Sequence, residues 1–505
     1  MTEYSKSELI LNVSESDTLE FKEGKKGFPK DALETYSAFA NTEGGLLVLG
    51  LKELSTSQYS IVGVDDPQKD ITEMINLLQN PSKVSDNILN NSSFKITTVR
   101  DKSIIEISIP KATYNKRPIY LKGNPSESYK RIGTADCRMS ENEMKAMIRD
   151  SSDMPQDATI IDDITWEMAL DMSTISSYRQ RFANRTPDHV FNTLSTEDFL
   201  IKIRAIDKVQ EKLHPTMAGL IMFGNSNELQ KRLPHFCLEY INYIDSEENR
   251  WKDRIIYDGS WGEGNLYNFL QIVLPRLMKT IDSSFSLGDD GITRQEYSDI
   301  QKALREAFVN TLMHADYRVE GHTKVSVEEK QYVFSNPGSL RISMEEYYSG
   351  KTSVCRNPNI AFMLRVIGFA EAAGSGVPAI LRAVRTNKLA IPELITTNNR
   401  VTLRINTSPF INSIVKKYNL SEREHSVLKC INDLGFAKRK EIESATNIKK
   451  GTLITIINGL IEKGLIVSTG KASATTYSIS ENYVTNKDKT RNALEHILDM
   501  LKKSK

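Results

Sequence analysis

The sequence is poor in the features that mark a disulfide-stapled, zinc-ribbon or membrane protein. Its four cysteines, Cys137, Cys237, Cys355 and Cys430, are far apart and none forms a C-x-x-C pair. That spacing excludes a zinc ribbon and a dense disulfide framework, and scattered thiols fit a reducing cytosol. Its apolar runs, such as "GGLLVLGL", are far shorter than the ~20 residues a bilayer helix needs. The opening "MTEYSKSELI" has no basic stretch leading into an apolar one, so no signal peptide is expected. An excess of one charge is missing too. The 66 Lys+Arg and 65 Asp+Glu leave a net charge of +1, so any nucleic-acid surface has to be a local patch. No G-x4-G-K-[ST] loop occurs, which argues against a P-loop helicase motor. The expectation is a cytoplasmic protein with no membrane partner.

What is present is a long, ordinary globular composition. At 505 residues the chain exceeds a single core, and roughly three or four domains are expected. Strand and helix signals alternate throughout, giving a multidomain α/β (α+β) fold class. "DTLEFKE" alternates as a half-buried strand does. "PKDALETYSAFANTEGG" has helical spacing between Pro29 and Gly44-Gly45, and "LLVLGL" suits a central strand. "FKITTVRDKSIIEISIP" reads as a hairpin turning near Asp101-Lys102, "IYLKG" and "SYKRIG" as short basic strands, and "SENEMKAMIRD" as a helix capped by Ser140. The boundaries read as a first domain at 1–150, a helical linker at 151–200, a second α/β domain at 201–410, a third small domain at 418–482 and a C-terminal amphipathic helix at 486–505. Within the second domain "MAGLIMFG" and "HFCLEYINY" look like strands, and "IQKALREAFVNTLMHADY" like an amphipathic helix.

The first stretch with chemical content is "ESDTLEFKEGKKG". Glu15 and Glu20 lie five apart and Lys22 follows. Hydrolysis of a phosphodiester with a divalent ion uses several carboxylates around the metal and often a lysine near the attacking water. On a strand, Glu20 and Lys22 share a face. Glu53, closing "GGLLVLGLKE", supplies a third acid if that run is one neighbouring strand. Basic residues follow the motif (Lys25, Lys26, Lys30) and recur in the closing strands (Lys116, Arg117, Lys122, Lys130, Arg131, Arg138), with Tyr120 and Tyr129 among them. Such a rim can neutralise phosphates and stack on bases; it can equally be an ordinary solvated surface.

In order, the blocks "ESDTLEFKEG", "YSAFANTEGGLLVLGLKE", "KRPIYLKG" and "YKRIGT" resemble the Schlafen AlbA-type domain over about residues 13–150. That resemblance implies a mixed-sheet nucleic-acid-binding domain. In nuclease members it implies a Mg- or Mn-dependent centre cutting RNA, tRNA in particular, with Glu15, Glu20 and Glu53 as ligands and Lys22 beside them. A stress or phage-defence role is also suggested by the family. Glu53 stands where the family usually has Asp, and its extra methylene moves the carboxylate.

Glu306, Asn310 and His314 fall at i, i+4 and i+8 on one helix face. The blocks "TMAGLIMFG", "LREAFVNTLMHADY", "FSNPGSL" and "RNPNIAFMLRVIGFAEAAGSGVPAI" are similar to the ATPase-like C-terminal domain of RecG-related transcriptional regulators, a GHKL-like sandwich. The likeness implies an ATP site with Glu306 activating water, Asn310 holding magnesium, a turn at Asn336 and Gly338, and phosphate at Gly374 and Gly376. The usual Asp-x-Gly-x-Gly turn is replaced by Asn336-Pro337-Gly338. A third pattern, "LSEREHSVLKCINDLGFAKRKEIESATNIKKGTLITIINGLIEKGLIVSTGKASATTYSI", reads as a winged helix-turn-helix whose third helix presents Lys449, Lys450, Thr452 and Thr455 to a major groove. The tail places Ala493, Leu494, Ile497, Leu498 and Leu501 on one stripe, which suits a homo-oligomer contact or a solvated end.

Two functions fit these motifs: a Schlafen-like, metal-dependent endoribonuclease, or a non-catalytic, ATP-responsive DNA-binding regulator. A pure ATPase switch is a third. The nuclease requires the three acids to converge; the regulator requires an exposed basic face on the third helix of the winged helix.

Overall fold

The computed structural model describes residues 10–480 except 13–14, 26, 56–57, 100, 153, 245–249, 258–262, 282–297, 371–375, 388, 390, 398, 408–417, 435 and 470–474. The expected 486–505 helix lies outside the described residues. Those described divide into two units, one of residues up to 152 with 341–345, the other of 154–340 and 346–480.

The first unit runs β1 (Ile10–Asn12), β2 (Leu19–Lys22), α1 (Ala32–Asn41), β3 (Gly45–Leu49), β4 (Leu51–Ser55), β5 (Gln58–Ile61), α2 (Pro67–Leu78), β6 (Phe94–Val99), β7 (Lys102–Ile109), β8 (Tyr129–Ile132), β9 (Ala135–Arg138) and α3 (Glu141–Asp150). A four-stranded sheet has the order β2-β3-β7-β6, with β2 and β3 parallel. β3 is buried along its length because both faces are covered. Leu47 and Leu49 pack with Tyr36 and Phe39 of α1 on one side, and Leu46 and Val48 with Phe21, Tyr59 and Ile104 on the other. This is why its sequence is continuously apolar. The chain breaks at Gly50 (φ +101°), where a Cβ would press on Ile104 and on the Gly63 backbone. β4 therefore leaves for a second sheet, β1-β5-β4, so Glu53 is not at the end of a continuous β3. Ser140 caps α3 by accepting from the Glu143 amide, as its sequence suggested. "IYLKG" makes only isolated bridges, Val84 with Leu121 and Tyr120 with Ser128.

The second unit holds a six-stranded sheet in the order Asp253–Tyr257, Leu238–Asn242, Thr323–Glu328, Gln331–Pro337, Arg400–Asn406, Glu393–Thr397. All its pairs are antiparallel except Leu238–Asn242 with Thr323–Glu328. The helices Leu266–Lys279 and Asp299–His314 pack on it and on each other. Residues 151–200, expected as a linker, join this core: Tyr178 is fully buried and its hydroxyl donates to the Met363 carbonyl at 2.7 Å. "MAGLIMFG", expected as a strand, is the helix Met217–Phe223. Thr216 caps it by accepting from the Gly219 amide, and Ala218–Phe223 are all buried. A short run apolar on every side carries no period to separate strand from buried helix. After residue 417, the helices Glu422–Leu434, Arg439–Thr446 and Lys450–Glu462 pack against a three-stranded antiparallel sheet, Phe436–Lys438, Thr476–Ile479, Ile466–Thr469.

Candidate nucleic-acid interface and acid centre

β2 sets the acid centre. Its alternation points Glu20 and Lys22 the same way, and Lys22 Nζ donates to Glu20 Oε1 at 3.1 Å and to Asp31 Oδ2 at 2.8 Å. The other oxygen of Glu20 receives Arg131 Nη2 at 2.6 Å. Arg131 arrives on β8, 111 residues away in sequence, and α1 fixes that strand's position. Asn41 donates to the carbonyls of Ile119 and Tyr129 and accepts the Ile119 amide, while Ser37 Oγ accepts the Tyr129 amide and Thr42 Oγ1 the Arg131 amide. Buried polar groups satisfied this fully specify a single arrangement. Arg131 also binds Asp136 Oδ1 at 2.9 Å and the Ser16 carbonyl at 3.1 Å, and lies over the Phe39 ring.

Glu15 takes the Phe21 amide at 3.0 Å. Burial pushes its carboxyl above the usual range, and Glu20 and Glu53 add to this, against the Phe21 hydrogen bond and Arg131. Burial alone would lower the Lys22 ammonium, but hydrogen bonding to Asp31 and the charges of Glu20 and Asp31 hold it raised. Tyr59, paired with Glu53 across β4 and β5, is pushed up to about 12 by burial and then by Glu15, Glu53 and Glu20. The three acids thus share one neighbourhood around Tyr59. Glu53 itself is exposed on β4.

Hard carboxylate oxygens are the donors Mg²⁺ or Mn²⁺ prefers, but these do not fit such an ion as they stand. Both Glu20 oxygens are held by cations, and among the described residues no three His, Cys, Asp or Glu side chains gather as a ligand set.

The basic rim is largely spoken for. Lys122 and Arg138 both pair with Glu127, Lys130 with Glu143 at 2.7 Å, and Lys116 with Asp86. Arg117 and Arg131 are only 4% and 5% exposed, so neither belongs to an outer rim. Tyr129 is buried, with its hydroxyl donating to Glu34 and Glu127. Lys25 and Lys30 are exposed and carry no ion pair among the described residues; Lys26 lies outside them.

In the second unit the expected nucleotide residues fall into two groups. Glu306, buried on the helix Asp299–His314, and Asn310 lie under the start of the helix Gly376–Thr386. A Cβ at Gly376 would collide with Glu306 Oε1 and come within 2.9 Å of Asn310 Nδ2. Gly374 lies outside the described residues. Asn336 instead meets the far end of the 299–314 helix, donating to the His314 carbonyl at 3.4 Å and to the Pro337 carbonyl at 3.1 Å. Gly338 (φ +100°) sits against Asp316 and Arg356. Sequence reasoning missed Arg356, a fully buried side chain whose Nε donates to the His314 carbonyl at 3.1 Å and whose Nη2 donates to the Ser339 carbonyl at 2.8 Å. Its neighbour Asn357 donates to the carbonyls of Met313 and Ala315. The signal available was "RNPN", a charged and an amide residue ahead of a helix-opening proline.

The helix Lys450–Glu462 buries Leu453, Ile457 and Leu460. Its opposite face is exposed: Lys449 (the N-cap), Lys450, Thr452, Thr455 and Asn458. Sequence reading also passed over Lys438, Arg439 and Lys440, exposed at the start of the preceding helix, in the run "KRK". Among the described residues, none of these five lysine and arginine side chains carries an ion pair.

Comparison with known proteins gives three separate matches along the chain. Residues 15–140 match the family "Schlafen, AlbA_2", 145–239 match "Domain of unknown function (DUF8451)", and 320–405 match "Putative ATP-dependent DNA helicase recG C-terminal". Glu306 and Asn310 precede the last match. Among solved structures, the DIP2311 protein of Corynebacterium diphtheriae is 15% identical, with a TM-score of 0.41, over 92% of this chain and 95% of that one. The N-terminal domain of a RecG-related protein from Nitrosomonas europaea is 28% identical, with a TM-score of 0.20, over 26% of this chain and 88% of that one. No curated protein matches the chain.

Proposed function

We propose that this chain, which carries a Schlafen AlbA_2 domain at 15–140 and a RecG C-terminal-type domain at 320–405 and so belongs among nucleic-acid-associated proteins, is a non-catalytic regulator that reads duplex DNA through its last described domain. One observation carries the reading. Lys438, Arg439, Lys440, Lys449 and Lys450 are exposed on that domain with no ion pair among the described residues, while Lys116, Lys122, Lys130, Arg131 and Arg138 of the expected Schlafen-type rim are held by acids of their own unit. A lysine without a carboxylate partner can neutralise a phosphate without first breaking an ion pair. Three helices against a small antiparallel sheet are the parts of a winged helix. Its third helix has an apolar face locked in the core and a polar face of Thr452, Thr455 and Asn458 behind two lysines, the residue types that meet base edges and phosphates in a major groove. The ATPase-like domain serves as the responsive element, with ATP as its candidate ligand.

The test is fluorescence anisotropy of the full chain with labelled duplex DNA, competed with single-stranded RNA and with tRNA. Duplex DNA should bind, and should resist an equal mass of RNA competitor. Binding only to RNA would overturn the reading. The RNA-nuclease function is the second reading, favoured by the three acids that act together on Tyr59; it requires metal-dependent cutting of tRNA that Glu20→Ala abolishes.

A further inference from the structure

We infer that the acid centre of the Schlafen-type unit is cation-clamped: Arg131 and Lys22 serve as the built-in counter-ions of Glu20, in place of a divalent metal. This stands independently of DNA reading by the C-terminal helices.

The argument rests on how Arg131 is held. Its side chain is 1% exposed and makes contacts in several directions: Glu20 Oε2 at 2.6 Å, Asp136 Oδ1 at 2.9 Å, the Ser16 carbonyl at 3.1 Å, the Leu19 carbonyl at 3.4 Å and the face of Phe39. Its own backbone amide is fixed by Thr42 Oγ1 at 3.0 Å. A guanidinium anchored by two carboxylates and two carbonyls is not a mobile arm that swings away for a metal. Its removal would leave the half-buried Asp136 without its cation and Glu20 with Lys22 alone, a costly change for poorly solvated charges. Lys22 closes the remaining oxygen of Glu20 and is itself tied to Asp31. A divalent ion at Glu20 would therefore sit beside two positive charges in a largely buried site, where repulsion is poorly screened. Glu15 points the same way. Its carboxyl accepts a main-chain amide from Phe21, a structural use of the oxygen. The clamp also gives Lys22 a role that differs from activating water: it neutralises Glu20 and Asp31.

The experiment is a Mn²⁺ titration of the intact chain, with free Mn²⁺ read by electron paramagnetic resonance, comparing the natural protein with Glu20→Gln. The clamp predicts that the two bind Mn²⁺ alike, whether neither does or both do through some other group. A single Mn²⁺ taken up by the natural chain and weakened tenfold or more in Glu20→Gln would overturn it. Should Glu20→Gln fail to fold, Glu53→Gln carries the same comparison, because Glu53 is exposed and belongs to the same proposed ligand set. Mn²⁺ uptake is measured without nucleic acid, so its outcome is separate from that of the DNA-binding test.

Discussion

Asp157 sets burial against hydrogen bonding, and the balance can be measured. Its side chain is buried, at 1% exposure, and Oδ2 accepts the amides of Asn359 and Ile360 at 2.7 and 3.0 Å where the helix Pro358–Val366 begins. Those bonds, and Arg204 nearby, favour the charged carboxylate. Burial favours the neutral acid more strongly, and the carboxyl is pushed up from its usual 3.8 to about 6. The folded chain therefore keeps a proton that the unfolded chain releases at lower pH. The contribution to stability is complete below about pH 4 and is lost as the pH rises through about 6. A shift of about two units at 1.36 kcal/mol each amounts to roughly 3 kcal/mol. Asp157→Asn keeps an oxygen acceptor and cannot charge. The stability of the variant minus that of the natural chain should thus rise by about 3 kcal/mol between pH 4 and pH 7.5. The sequence has three tryptophans, all after residue 154, and the described ones, Trp166 and Trp251, belong to the second unit, so urea unfolding followed by tryptophan fluorescence follows this unit. A difference that stays flat, or falls as the pH rises, would show that the two amides and Arg204 outweigh burial, and would refute the reasoning.

Three further outcomes follow from packing and charge. Arg131→Met leaves Asp136 without its cation and Glu20 with Lys22 alone, and should destabilise the first unit by roughly 3–5 kcal/mol, seen as faster hydrogen exchange in β2 and β3. Leu453→Ala opens a cavity in the C-terminal core and should cost about 2–5 kcal/mol, whereas Thr452→Ala, its exposed neighbour, should stay within about 0.5 kcal/mol; hydrogen exchange across 450–462 separates the two. Gly376→Ala drives a methyl group into Glu306 and Asn310 and should lower the urea midpoint of the tryptophan-reported transition, by roughly 1–3 kcal/mol in stability.

Local patterns were the legible part of this chain. The alternation of β2, the helix before Gly44, the hairpin turning at Asp101 (φ +65°) and the Ser140 cap depend on neighbours within a few residues, and they stand where the sequence puts them. The helix-turn-helix pattern read at the C-terminal end is there too, as the helices Glu422–Leu434, Arg439–Thr446 and Lys450–Glu462, because apolar stripes are also local. Long-range pairing was not legible. Nothing in "ESDTLEFKEG" says that Glu20 meets Arg131, since the two come together only through Asn41, Ser37 and Thr42 of the intervening chain. A basic rim read from composition cannot know that Glu127 takes two of its cations or that Arg117 is buried. Glu53 was misplaced because one glycine, Gly50, turns an apolar run into two strands of different sheets.

The most direct test of the account is the salt dependence of duplex-DNA binding by the full chain and by Lys449→Ala/Lys450→Ala. Each lysine that neutralises a phosphate contributes about 0.9 to the slope of log affinity against log salt concentration. The double variant should therefore bind more weakly, with a slope shallower by roughly two. An unchanged slope, or DNA binding that the two substitutions leave intact, would contradict the claim that these lysines meet the DNA.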